Sequence, residues 1–214
     1  MFLTLVINII SKIIILILFY FAWQNIEQVG NNLNENLIYF YLILVLLSLL
    51  VDKFFYKGKT SEGDVKYKKL STLISIAWFS SLIIPIMEYS YFIRSNSYIS
   101  TLAIIIVFIG IIIRGFSIKY LGKYFSREVQ TWKEHKLIEK GLYKYIRHPA
   151  YLGNIIQIIG FPLILNSYYS LLVSVLTVYL FLKRINLEEK FLENNLDGYR
   201  EYKNSTCKLI PFIW

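Results

Sequence analysis

Long apolar runs with almost no polar residue are the feature that most constrains the fold of this 214-residue chain. Examples are the stretches 13–21, 42–51 and 102–113. A helix that crosses a hydrocarbon core about 30 Å thick needs about 20 mostly apolar residues, whereas a core helix of a soluble protein keeps a polar stripe. The runs therefore predict a multi-pass integral membrane protein, and the lipid bilayer is its first expected partner.

The runs divide the chain into six predicted membrane spans. We predict an all-α, polytopic bundle of about six transmembrane helices, without a Rossmann domain, with spans at 3–23, 37–55, 70–92, 98–118, 149–166 and 168–185. The last two spans are short, because 18 residues give roughly 27 Å at the helical rise. They form either a hairpin that crosses the membrane twice or a re-entrant hairpin.

The basic residues indicate the orientation of these spans. The net charge is +9, and 20 of the 23 Lys and Arg residues lie in the segments 52–69, 119–148 and 183–214. Such clusters mark cytoplasmic loops of membrane proteins, so the basic excess is interpreted as topology and not as nucleic-acid binding. Both termini are then expected in the cytoplasm. The Ile-, Lys- and Asn-rich composition points to a prokaryotic cell membrane.

The two halves of the chain differ in the chemistry that they offer. Residues 1–118 form the first four predicted spans and carry few candidate functional groups. Residues 119–214 hold the hairpin 149–185, flanked by cytoplasmic segments rich in His, Arg, Glu and Tyr. We expect the catalytic region in this second part. Arg114, close to the cytoplasmic end of the fourth span, is interpreted as an arginine that reaches to the lipid headgroups.

The segment around Pro149 is the first candidate site. Proline fits the first position of a helix, and the turn that follows would present the N–H groups of Ala150 and Tyr151. Arg147 and His148 stand beside this positive end of the helix dipole, which together make a plausible anion site. The alternative is an interfacial anchor, because Arg, His and Tyr often cap transmembrane helices.

The second candidate lies at the end of the last span. Arg184 and Glu188 are four residues apart and share one face of a helix. They form either an exposed ion pair or a site of opposite charges for a zwitterionic ligand. Other chemistries lack a motif: two histidines and Cys207 give no metal-ligand spacing, and no glycine-rich nucleotide loop occurs.

In this region the chain resembles the isoprenylcysteine carboxyl methyltransferase family and its bacterial and archaeal relatives. The resemblance runs from about Tyr120 to Trp214. It comprises, in order, Gln130, His135-Lys136-Leu137-Ile138, Gly141-x-Tyr143, Arg147-His148-Pro149-x-Tyr151-x-Gly153, Arg184-x-x-x-Glu188-Glu189, Gly198-Tyr199-x-x-Tyr202 and Pro211.

The resemblance implies a membrane enzyme that uses S-adenosylmethionine without a Rossmann domain. It implies that the cofactor site is lined by Gln130, His135, Lys136, Leu137, Ile138, Tyr143, His148, Pro149, Ala150, Tyr151 and Glu188. Arg184 would face the substrate, so that Arg184 and Glu188 are the expected catalytic pair. The interval between Gln130 and His135 is shorter than in the eukaryotic prenylcysteine enzymes.

The expected reaction is methyl transfer to a carboxylate of a lipophilic, isoprenylcysteine-type or other prenylated acceptor. A carboxylate is ionised at neutral pH, so alignment in a dry site matters more than a general base. A phospholipid amine N-methyltransferase is an alternative, in which Glu188 or Glu189 would take up the proton. A sterol-reductase-like enzyme that uses a nicotinamide cofactor is another, and a non-enzymatic membrane scaffold is the last.

Overall fold

The computed structural model describes residues 20, 35–56, 67–92, 94–131 and 135–210, and these form a bundle of α-helices. The first predicted span, 3–23, lies outside the described residues apart from Tyr20. We number the helices α1 to α6: Glu35–Phe55, Lys68–Tyr91, Ser97–Leu121, Pro149–Ile164, Leu171–Asn195 and Tyr199–Ser205. Short 3-10 turns at Gly122–Tyr124 and Gly141–Lys144 lie in the connection between α3 and α4. The predicted all-α membrane bundle is therefore confirmed.

Three described helices have the length and apolar composition of membrane spans. They cover Asn36–Phe55, Lys69–Tyr91 and Ser97–Tyr124, close to the predicted spans at 37–55, 70–92 and 98–118. Each turns an apolar stripe inward; on α1, the inward stripe contains Ile38, Tyr41 and Val45. The chain is an integral membrane protein.

The last predicted spans form a helical hairpin, with one correction to its bounds. The fifth helix begins at Leu171 and continues to Asn195, about ten residues beyond the predicted end of the last span at 185. The hydropathy pattern predicts only the apolar part of this helix, whereas Leu, Glu and Lys also favour a helix in water. This extension keeps Arg184, Glu188 and Glu189 on one rigid helix.

Close packing of α3 against α4 fixes the position of the candidate site. A Cβ atom added to Gly110 would lie 2.9 Å from the carbonyl oxygen of Gly153, and one added to Gly153 would lie 2.7 Å from that of Gly110. At Gly160, an added Cβ would approach Val107 to 2.5 Å. Small residues allow two helix backbones this close, as is common in membrane bundles. The first turn of α4 is consequently held against the end of α3.

The segment after α6 closes the base of the bundle beside the start of α4. The backbone N–H of Arg147 donates to the carbonyl of Cys207 at 2.8 Å, and that of His148 to Lys208 at 3.1 Å. Ile146 and Cys207 form an isolated parallel bridge. The segment before α4 and the segment after α6 are thereby joined beside the helix start at Pro149.

Candidate active site

The first turn of α4 and the polar half of α5 meet at one end of the bundle. As predicted, Pro149 occupies the start of α4, with His148 as the preceding N-cap residue. Proline fits there because the first N–H groups of a helix have no partner inside it. Ala150 is buried in the same turn, and its carbonyl accepts a bond from Nη1 of Arg114 at 3.3 Å. Tyr151 points from this turn towards α5.

A tyrosine hydroxyl joins the predicted catalytic pair. The Tyr151 hydroxyl accepts a hydrogen bond from Nε of Arg184 at 2.8 Å and donates one to Oε2 of Glu188 at 2.5 Å. Arg184 is buried, so the arrangement differs from an ordinary exposed ion pair. Of the two alternatives, the structure favours a buried site of opposite charges, with a phenol between the two groups.

The other guanidinium nitrogens of Arg184 reach two further parts of the chain. Nη1 donates to the Ser71 hydroxyl at 3.0 Å, and Nη2 donates to the Arg127 carbonyl. Ser71 in turn donates to Oε2 of Glu128 at 2.8 Å. Among the described residues, the three hydrogen-bond acceptors of Arg184 are therefore neutral oxygens. No carboxylate of this part of the chain pairs directly with its positive charge. A guanidinium in this state can exchange a neutral partner for an anion.

A second cluster, beside the first, holds a carboxylate that is already paired. Oε1 of Glu189 accepts from Nε of Arg147 at 2.7 Å and lies 3.2 Å from Nε2 of His148. Burial opposes ionisation, but the hydrogen bonds from His148 and Arg147 outweigh it and lower the pKa of Glu189 to about 2. Nη1 of Arg147 also donates to the carbonyls of Lys203 and Thr206. Glu189 is consequently a structural anion, whereas Glu188 one residue earlier is directed into the site.

Two of the predicted cofactor-site residues, His135 and Tyr143, lie close enough to Glu188 for its charge to act on them. Burial lowers the pKa of His135, and the negative charge of Glu188 partly offsets this effect. Burial, then Tyr202 and Glu188, hold the pKa of Tyr143 well above its usual value. The backbone carbonyl of Tyr143 accepts from the Tyr202 hydroxyl at 2.7 Å. The side chains of His135 and Tyr143 thus stay neutral at physiological pH.

The remaining predicted residues are placed less uniformly. Lys136 is exposed and Ile138 half-buried, while Leu137 lies against the turn at Gly198, 3.8 Å from the position of an added Cβ. The Gln130 amide donates to the Ser126 hydroxyl at 2.6 Å, within its own segment. These contacts bring Leu137 to the base of the site but leave Gln130 engaged locally.

The interpretation of Arg114 as a snorkelling residue is wrong. Its Nε and Nη2 donate to the two carboxylate oxygens of Asp52, both at 2.6 Å, and both side chains are largely buried. The pair joins the ends of α1 and α3, and Arg114 continues to the carbonyl of Ala150. A buried partner from a distant helix prevents the side chain from turning to the headgroups.

Sequence reasoning missed the residues that surround Arg184 and the base of the site. Ser71 and Asp52 come from helices that carry no motif, and Glu128 lies in the polar connection. Tyr199 belongs to the family-like series but received no role; it is buried, and its hydroxyl makes no hydrogen bond within the described residues. A buried orphan hydroxyl of this kind becomes apparent only when the side chains are placed.

Comparison with known proteins shows which proteins this chain resembles. Residues 102–194 match the model of the isoprenylcysteine carboxyl methyltransferase (ICMT) family. The chain is 33% identical over 160 residues to the protein-S-isoprenylcysteine O-methyltransferase of Saccharomyces cerevisiae, covering 73% of this chain and 65% of the relative. It is 26% identical over 204 residues to protein-S-isoprenylcysteine O-methyltransferase A of Arabidopsis thaliana, covering 90% of this chain and 98% of that protein.

The fold has a solved counterpart as well. The structure of the eukaryotic intramembrane Ras methyltransferase ICMT superposes with a TM-score of 0.67 and 21% sequence identity. The match covers 94% of this chain and 73% of that one. The matched residues 102–194 contain the Tyr151–Arg184–Glu188 arrangement described above. The resemblance seen in the motif series is thus confirmed: residues 102–194 match the model of the isoprenylcysteine carboxyl methyltransferase family, and the yeast and plant enzymes are similar to this chain.

Proposed function

We propose that the chain is an integral membrane methyltransferase that uses S-adenosylmethionine to methylate a carboxylate of a lipophilic, isoprenylcysteine-type acceptor. The single observation that carries the proposal is the buried Arg184–Tyr151–Glu188 arrangement at the polar end of α5. The names of the yeast and plant relatives indicate the same reaction class. Because the chain spans 65% of the length of the yeast relative, that protein's activity is carried over here as a proposal.

The donor set at this end of the bundle fits S-adenosylmethionine, which supplies an activated methyl group when bound. The cofactor carries a carboxylate, an ammonium, a sulfonium and an adenine. The helix start at Pro149 and Ala150 suits the carboxylate, and Glu188 suits a cationic group. Aromatic faces of Tyr143 and Tyr151 favour a sulfonium or a stacked base. Within this proposal, His148 orients the site through Glu189, and the segment 135–138 forms a side wall.

Arg184 is the group suited to the acceptor carboxylate. An incoming carboxylate has to replace a neutral partner of Arg184: the Arg127 carbonyl is the one that it replaces in this proposal, while the Ser71 hydroxyl keeps the guanidinium oriented. A carboxylate adds the attraction between opposite charges, which a neutral oxygen does not supply, so the exchange is favourable. The role of the protein is then to align an ionised carboxylate in a buried site, and no residue has to remove a proton from it.

The position of the site suits an acceptor that is dissolved in the membrane. Arg184 lies at the boundary between the apolar part of α5 and its polar extension, about one turn from the buried Phe181 and Leu180. A lipid chain can therefore remain in the apolar region while its carboxylate reaches Arg184. We propose that this end of the bundle and both termini face the cytoplasm, because the clusters of basic residues mark the cytoplasmic side. The Ile-, Lys- and Asn-rich composition supports a prokaryotic cell membrane.

A methyl-transfer assay with the purified full chain tests the proposal. Protein in lipid discs is incubated with S-adenosylmethionine carrying a labelled methyl group and with a farnesylated cysteine analogue, and base-labile label in the lipid phase is counted. Alkali-labile label indicates a methyl ester, as expected. Label that stays on phospholipid amines after alkali would favour N-methylation. Binding of reduced nicotinamide without S-adenosylmethionine binding would favour the reductase alternative and overturn the proposal.

A further inference from the structure

Two tyrosines of α6, three residues apart, differ in what their hydroxyl groups contact. Both Tyr199 and Tyr202 are buried, and their rings make an edge contact at 5.9 Å between centroids. The Tyr202 hydroxyl donates to the carbonyl of Tyr143 at 2.7 Å. The Tyr199 hydroxyl makes no hydrogen bond within the described residues. Leaving a buried hydroxyl unpaired is costly, so a protein usually keeps one only where a ligand or a role requires it.

The surroundings of Tyr199 place it at the predicted cofactor site. Burial raises the pKa of its phenol above the usual value, the negative charges of Glu189 and Glu188 raise it further, and the positive charge of Arg147 partly offsets them. The preceding Gly198 adopts a left-handed conformation, with φ of 77°, and its position faces Leu137 at 3.8 Å. Tyr199 is therefore close to the acidic turn of α5, and the residue before it lies beside Leu137 of the segment 135–138.

The chemistry of this position suits a neutral group that both donates and accepts. The high pKa keeps the phenol protonated, so it carries no charge beside the two carboxylates. A phenol can accept a bond from an ammonium or exchange bonds with ribose hydroxyls. S-adenosylmethionine presents both kinds of group. A polar ligand at this place would satisfy a hydroxyl that the protein leaves unpaired.

We propose that Tyr199 is a further cofactor-binding residue, whose hydroxyl hydrogen-bonds a polar group of bound S-adenosylmethionine. This inference rests on the proposed function. It assigns to α6 a binding role distinct from that of Tyr202, which holds the 3-10 turn containing Tyr143. The two residues act as a matched pair: one hydroxyl serves the ligand-free fold, and the other serves the ligand.

Equilibrium binding with Tyr→Phe variants of the full chain tests the inference without measuring turnover. S-adenosylhomocysteine is titrated calorimetrically into wild type and Tyr199→Phe in detergent, and melting temperatures are recorded without ligand. Loss of one hydrogen bond to the ligand should weaken binding about five- to tenfold. The ligand-free melting temperature of Tyr199→Phe should stay the same or rise, whereas that of Tyr202→Phe should fall.

The possible outcomes separate the inference from the proposed function. If wild type does not bind S-adenosylhomocysteine, both fail. If wild type binds and Tyr199→Phe binds within twofold of it, only the inference is overturned. It is also overturned if Tyr199→Phe lowers the ligand-free melting temperature as Tyr202→Phe does. A parallel titration with 5′-methylthioadenosine, which lacks the amino-acid part, assigns the contact: an equal loss indicates the nucleoside, and an unchanged affinity indicates the ammonium end.

Discussion

The two ends of α5 each bring an arginine and a glutamate together, but in different ways. At the beginning of α5, Glu88 accepts from the backbone N–H groups of Tyr169 and Ser170, from the Ser170 hydroxyl and from Arg94, at 2.7–3.1 Å. In the polar half of α5, Arg184 and Glu188 are linked by hydrogen bonds through the hydroxyl of Tyr151.

The difference separates a structural ion pair from a binding site. The Glu88 carboxylate accepts hydrogen bonds from groups of the protein, including two backbone N–H groups at the start of α5. It therefore holds α2 against α5. The Arg184 guanidinium has neutral partners that an anion can replace. We infer that the Glu88 carboxylate, whose hydrogen-bonding capacity is filled by groups of the protein, marks a structural site. The Arg184 guanidinium, whose charge is incompletely paired, marks the functional site.

Replacing Arg184 is the most severe way to break the functional site. We expect Arg184→Lys to lower methyl transfer by about 100-fold, because an ammonium cannot supply the fork of donors that a carboxylate requires. The assay is initial-rate methyl transfer to a farnesylated cysteine analogue. Lys190→Ala, an exposed position on the same helix, is the matched control and should retain activity. A rate for Arg184→Lys close to that of the control would remove Arg184 from the acceptor site.

At the structural site, Glu88→Ala should affect stability before activity. The substitution leaves two N–H groups of the α5 start and Arg94 without their acceptor, at a cost of about 2–3 kcal/mol. We expect a melting temperature several degrees lower in detergent, with activity per folded molecule retained at low temperature. Glu201→Ala, on the exposed face of α6, should leave the melting temperature unchanged. A loss of activity without a loss of stability would contradict the comparison.

Two neighbouring glutamates extend the comparison to pH. The pKa of Glu189 is lowered from 4.5 to about 2, so its contribution to stability is complete above pH 4.5 and is lost as the pH falls towards 2. Melting temperatures of wild type and Glu189→Gln should differ at pH 7 and converge on acidification through this range. A difference that stays constant down to pH 3 would show that the charge of Glu189 is not stabilising.

Tyr151→Phe sharpens the comparison by removing the phenol between Arg184 and Glu188. The variant retains the ring but loses both hydrogen bonds, and we expect methyl transfer to fall about tenfold. Tyr145→Phe is a suitable control, since Tyr145 is 61% exposed. If Tyr151→Phe matches wild type, then Arg184 and Glu188 act independently of the hydroxyl.

The smallest expected effect concerns Ser71, the contribution of α2 to the site. Ser71→Ala removes one neutral partner of Arg184, and we expect the KM for the acceptor to rise about three- to fivefold with kcat little changed. Ser75→Ala, one turn along the exposed side of the same helix, should leave both parameters unchanged. A fall in kcat at constant KM would assign Ser71 to the reaction and not to the orientation of Arg184.

Local signals explain what the sequence could predict. Apolar runs predicted the three membrane-length apolar helices α1 to α3 within a few residues, because a span requires consecutive apolar residues. Pro149 predicted the start of α4, because its missing N–H and fixed φ act within one turn. The motif series predicted the family, and the four-residue spacing placed Arg184 and Glu188 on one face. That Arg184 and Glu188 act together in one functional site stays a prediction.

Only the tertiary structure decided which distant groups meet. The Ser71–Arg184 contact joins residues 113 positions apart, and the Arg114–Asp52 pair joins residues 62 apart. Such contacts depend on which helices lie side by side, which is set by the glycine contacts of α3 and α4 and by the packing of α2 on α5. Side-chain hydrogen bonds form after these positions are fixed. The sequence by itself therefore determined the helices and the residue types of the predicted site, while helix packing decided that Glu189 pairs with Arg147 and that Glu188 accepts from Tyr151.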